Sequence, residues 1–116
     1  MSASNFKVTG NVVDILGRRM YAAEVVVEDG RIAAINETAP RAGNYLLPGF
    51  IDAHVHVESS MLVPSEFARA AVVHGTVATV SDPHEIGNVL GVAGVQYMLE
   101  NAAKVPFKFF FGIKPA

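Results

Sequence analysis

The segment Pro48–Ser60 constrains the chain more than any other, reading Pro-Gly-Phe-Ile-Asp-Ala-His-Val-His-Val-Glu-Ser-Ser. Pro48-Gly49 is a turn signal. The residues after it alternate with period 2, which predicts a strand over Phe50–Val57. Phe50, Asp52, His54, His56 and Glu58 share one side. Ile51, Ala53, Val55 and Val57 share the other, expected to be buried in a central parallel strand. Two imidazoles at i and i+2 point the same way, so both rings can reach one ion. Neutral imidazole is the commonest protein ligand for a transition metal. The nearby carboxylates can complete a shell or orient the rings. Two other readings stay open at this point: a chance His-x-His on a solvated strand face, and a carboxylate-lined site that binds no metal.

The residues before Pro48 read as all β. Phe6–Thr9 and Asn11–Asp14 are short β-prone pieces separated by Gly10. Leu16-Gly17-Arg18-Arg19 reads as a solvated turn. Tyr21–Val27 and Arg31–Asn36 are strand candidates joined by Glu28-Asp29-Gly30, and Asp-Gly is a strong hairpin signal. Thr38–Asn44 reads as a loop, and Tyr45-Leu46-Leu47 as a short strand. No ionisable cluster in this part suggests chemistry.

After Val57 the pattern becomes α/β. Pro64–His74 predicts a helix with Pro64 in its first turn and Glu66 at the positive end of its dipole. Phe67, Ala70, Ala71 and His74 are its expected inner face, Gly75 its C′ residue, and His74 structural. Thr76–Ser81 is β-branched and reads as a second buried strand ended by Asp82-Pro83. Gly91–Lys104 predicts a helix with Val92, Val95, Leu99 and Ala102 inward. Phe107–Phe111 predicts a third strand, apolar on both faces. Strand, helix, strand, helix, strand implies βαβ units and a parallel sheet.

Pro-Gly-Phe-Ile-Asp-Ala-His-Val-His resembles the end of the first barrel strand in the amidohydrolase superfamily. Val57–Met61 and Ser81-Asp82-Pro83-His84-Glu85-Ile86-Gly87-Asn88-Val89 narrow the resemblance to the adenine deaminases of that superfamily. The resemblance implies an α/β fold: the amino-terminal part of a metal-dependent hydrolase TIM barrel (49–116), preceded by a small β-sandwich segment (1–48). Active residues in such barrels lie at the carboxyl ends of strands. His54, His56 and Glu58 would follow the first barrel strand, and Asp82, His84 and Glu85 the second. His54 and His56 would be metal ligands. Glu58, Glu85 and His84 are the candidates for substrate contact or proton transfer, with their separate roles open. Without the resemblance, His84 and Glu85 read equally well as site residues or as a helix-start cap and solvated loop. The implied activity is hydrolytic deamination of adenine to hypoxanthine and ammonia in purine salvage. A metal-acidified water would attack C6. Oxygen and nitrogen donors fit Zn, Fe or Mn; the resemblance favours Mn or Fe, often as a pair.

Composition removes several classes. The chain has 116 residues, a net charge of −2 and no Cys. That leaves no basic footprint for nucleic acid, no disulfide framework, and no cytidine-deaminase type of zinc site. No apolar run reaches membrane-spanning length, and Met1–Lys7 lacks a signal-peptide core, so a cytoplasmic protein is expected. A TIM barrel takes about 250 residues, so an amino-terminal piece or one part of a split protein is expected. Alone it should be inactive, with Lys108–Phe111 as an apolar edge that recruits other chains or the remainder of the barrel. Two rivals share Pro48–His56: another amidohydrolase acting on cyclic amides (dihydroorotase-like or deacetylase-like), and a non-catalytic metal-binding or oligomerising module.

Overall fold

The computed structural model describes residues 5–39 and 43–112. The chain divides into two compact units, Met1–Pro48 and Gly49–Ala116.

The first unit is a four-stranded sheet of order β3-β2-β1-β4. Its strands are β1 (Phe6–Asp14), β2 (Arg19–Glu28), β3 (Arg31–Glu37) and β4 (Tyr45–Leu46). β1 and β2 pair antiparallel along their length, from Phe6↔Val27 to Asp14↔Arg19. β1 is one continuous strand, where two pieces broken at Gly10 were expected. Gly10 marks a close approach instead: a Cβ there would sit 2.7 Å from the Asn44 carbonyl oxygen. That approach lets β4 pair parallel with β1, and Asn11 N–H donates to the same oxygen at 2.9 Å. Asp29 and Gly30 turn β2 into β3 with φ of 49° and 73°, the two positive values that a tight primed hairpin turn demands. Arg19 opens β2 and is not a free turn residue. Its guanidinium lies 3.0 Å from Glu37, 3.7 Å from Asp14 and 4.2 Å over the Tyr21 ring. Ala23 and Val25 are the buried residues of this sheet. The expected loop Thr38–Asn44 lies partly outside the described residues, as does the Met1–Ser4 part of the amino terminus.

The second unit is a parallel sheet of order β5-β6-β7: β5 (Phe50–Val55), β6 (Thr76–Ser81) and β7 (Lys108–Phe111). Helix α1 (Pro64–Val72) links β5 to β6, and α2 (His84–Ala102) links β6 to β7. Three expectations need correction. First, β5 is an edge strand among the described residues, and β6 is the central one. β5 also stops at Val55, because Val57–Ser60 winds into a 3₁₀ turn. Val57 is fully buried, but Ile51 is 62% exposed, since no described layer covers that face of the strand. Second, α1 buries Pro64 and Ala68, with Phe67 and Ala71 beside them, while Ala70 and His74 face outward. Third, a short helical stretch begins at His84, seven residues before the expected helix; it breaks at Gly91 (φ 61°, ψ −148°), where the expected helix starts, and the two together form α2. Its inward residues are Gly94, Met98, Asn101 and Ala102, while Val92 is 85% exposed.

Aromatic packing under α1 closes the second unit. Phe107, Phe109 and Phe111 form a ladder with ring centroids 4.8 and 5.8 Å apart, and Phe67 meets it edge-on at 6.4 Å. Asn101, buried on α2, accepts the Ser65 N–H at 2.8 Å. It thereby caps α1, whose own N-cap, Val63, has no side chain that can. Among the described residues no helix is long and apolar enough to cross a membrane.

Candidate metal centre

The parallel pairing of β5 with β6 brings their carboxyl ends together, with Val55 opposite Ser81. His54 and His56 leave the first end. His56 stays extended (φ −98°, ψ 96°) as the cap of the 3₁₀ turn. The period-2 geometry therefore persists past the last strand residue, and both rings lie on one side. Asp52 accepts the His54 N–H at 3.1 Å, where the β5–β6 register shifts. The two rings meet edge to face, with Nε2 of His54 3.1 Å from Nε2 of His56.

The second strand end supplies Asp82, Pro83, His84 and Glu85, the last two in the first turn of α2. His84 stacks edge-on against His56 at 4.8 Å. His56, His84 and Glu85 each offer a donor atom, all within 4.8 Å of one another. His54 joins this group through His56. Nδ1 of His84 lies 3.2 Å from an Asp82 carboxylate oxygen, and Nδ1 of His56 lies 3.0 Å from the Asp82 carbonyl.

Glu58 sits one turn lower. Its Oε1 accepts the Ile86 N–H at 3.4 Å, near the start of α2. Pro83, the N-cap of that helix, makes no side-chain capping bond. A carboxylate from the neighbouring segment thus meets the positive helix end. Glu58 Oε2 is buried and without a hydrogen-bond partner among the described residues. Ser59 adds a second tie, its hydroxyl donating to the Glu85 carboxylate. The sequence reading gives no role to Ser59, whose signal is only its place beside Glu58.

These residues fit a divalent transition metal. Two nitrogens about 2.1 Å from one ion and 3.1 Å apart subtend roughly 95° at it, within the range of common coordination geometries. A buried carboxylate oxygen with no partner calls for a proton, a cation or a ligand N–H. The donors are imidazole and carboxylate throughout, a set that suits Zn, Fe and Mn.

A family model described as the amidohydrolase family matches residues 45–115. The chain belongs to the amidohydrolase family. That places it in the TIM-barrel superfamily, in agreement with the parallel α/β unit. The adenine deaminase of Sulfurovum sp. is 62% identical over 105 residues, 90% of this amidohydrolase chain and 20% of the relative. The adenine deaminase of Salinibacter ruber is 61% identical over 111 residues, 94% of the chain and 20% of the relative. That of Borreliella burgdorferi is 52% identical over 107 residues, 92% of the chain and 20% of the relative. The chain thus spans about one fifth of the length of the curated relatives it matches.

Proposed function

We propose that the protein carrying this chain hydrolyses adenine to hypoxanthine and ammonia. The observation that carries the reading is that the 105-residue match to an adenine deaminase, 62% identical, spans both strand ends, where His54, His56, His84 and Glu85 converge. His54 and His56 would hold a divalent metal, Mn or Fe before Zn, as one of a pair. When bound, such an ion supplies water acidified toward neutral pH. Glu85 and His84 lie beside His56, Glu58 meets the start of the same helix, and these three would contact the purine or carry a proton to the departing amine. The exocyclic C6–N bond breaks, a C6–O bond forms, and the amine leaves as ammonia.

The sheet of the first unit would be one layer of a β-sandwich (1–48). The second unit would be the first strand–helix units of a barrel (49–116), completed by further chain or by association with other copies. The setting would be purine salvage in the cytoplasm.

The test is the whole metal-loaded protein with adenine. Ammonia and hypoxanthine should appear in equal amounts, and His54→Ala or His56→Ala should abolish both. Turnover of a cyclic amide with none of adenine would transfer the reading to a dihydroorotase-like or deacetylase-like hydrolase. Metal binding without turnover of either would leave a binding module.

A further inference from the structure

We infer that Asp82 is a positioning residue that holds His56 and His84 in one tautomer, with the proton on Nδ1 and Nε2 bare. The inference deepens the proposed metal site and rests on it for the use made of the bare nitrogens.

The Asp82 carbonyl, 3.0 Å from Nδ1 of His56, can only accept, so that nitrogen must carry the hydrogen. A neutral imidazole has one ring proton, and Nε2 of His56 is then a lone pair. Nδ1 of His84 lies 3.2 Å from Asp82 Oδ2, an ion-pair distance, and a carboxylate on that side favours the hydrogen on that nitrogen. One residue therefore sets two rings, His56 through its main chain and His84 through its side chain.

The main-chain arm is fixed by what surrounds it. The side chain of Ser81 is buried, and its carbonyl accepts the Gly112 N–H at 2.9 Å. Pro83, also buried, follows, and a residue before proline is confined to extended conformations. The direction of the Asp82 carbonyl is thus a property of the strand end. With Nε2 of His56 bare and 3.1 Å from Nε2 of His54, His54 must donate its own Nε2–H in the metal-free protein. It gives up that hydrogen when a cation takes its place. Ligating histidines are commonly oriented in this way by an acceptor on the other ring nitrogen. Here a single Asp would serve one ligating ring, His56, and its neighbour His84, at the junction of strand and helix.

The experiment uses the whole metal-free protein labelled with ¹⁵N in its histidine rings, at a pH where the rings are neutral. Two-bond ¹⁵N–¹H correlations report which nitrogen carries the hydrogen. His56 and His84 should be protonated on Nδ1, and His54 on Nε2. A hydrogen on Nε2 of His56 or His84 overturns the inference without any variant. Asp82→Ala should release His84 to the other tautomer and leave His56 unchanged. Asp82→Asn keeps an acceptor oxygen and should keep the wild-type pattern. An unchanged His84 in Asp82→Ala, or a lost pattern in Asp82→Asn, counts against the side-chain arm. Should the Ala variant fail to fold, the wild type and the Asn variant still decide. None of these readouts involves adenine, so failure of the proposed activity would be seen separately.

Discussion

Replacing Asn101 with Ala should destabilise the second unit by about 2 kcal/mol. Asn101 is 7% exposed, and its Oδ1 accepts the Ser65 N–H at 2.8 Å across 36 residues of chain. Ser65 lies in the first turn of α1, where no local side chain caps the free N–H groups. Loss of a helix cap costs about 0.5–2 kcal/mol. A half-buried donor left without a partner costs about 1–3 kcal/mol. These are two views of one bond and are not summed, so about 2 kcal/mol is the working value. Asn101→Asp keeps the acceptor and puts a negative charge at the positive helix end, worth about 0.3–1 kcal/mol. Burying that charge opposes the gain, so this variant should stay within about 1 kcal/mol of wild type. Urea denaturation followed by far-UV circular dichroism is the assay. With m near 2 kcal/mol/M, the Ala variant should lower the midpoint by about 1 M. A shift below about 0.2 M, or equal shifts for Ala and Asp, would refute the capping argument.

Two further outcomes test the backbone. Gly91→Ala should cost about 1–3 kcal/mol, because φ 61° with ψ −148° is a region essentially reserved for glycine. Nothing lies within 4 Å of the added Cβ, so a crystal structure should show moved backbone and no displaced neighbour; a neutral melt with an unmoved helix would contradict this. Asp29→Val should cost about 1–2 kcal/mol in thermal unfolding, since residue 29 sits at φ 49°, whereas Asp29→Asn should be neutral; equal melts for the two would show that the turn relaxes freely.

The strands, though not all of their ends, were legible in the sequence because period 2 and turn chemistry are local. Asp29-Gly30 fixes a hairpin by itself, and Phe50–Val55 shows its alternation in six residues. The helical stretch before Gly91 was hidden for a physical reason. Pro83, Gly87 and Gly91 read as breakers, while the carboxylate that meets the helix start, Glu58, is 28 residues away from Ile86. The inward faces of α1 and α2 were misplaced because small residues do the packing. Ala68 and Gly94 are buried, and Ala102 as expected, while Val92 and Leu99 are exposed, so apolar periodicity pointed partly to the wrong stripe. At the site, the spacing of His54 and His56 foretold converging rings. It could not foretell that Asp82 would reach His56 through its carbonyl, since a main-chain acceptor leaves no mark on residue type.

The ties between the two strand ends have a consequence in time. They join residues only 26 and 28 positions apart, a length a ribosome adds in roughly 1–6 s. Closing so short a loop is fast compared with synthesis. The histidines of this segment should therefore meet within seconds of its synthesis, ahead of any slower assembly step.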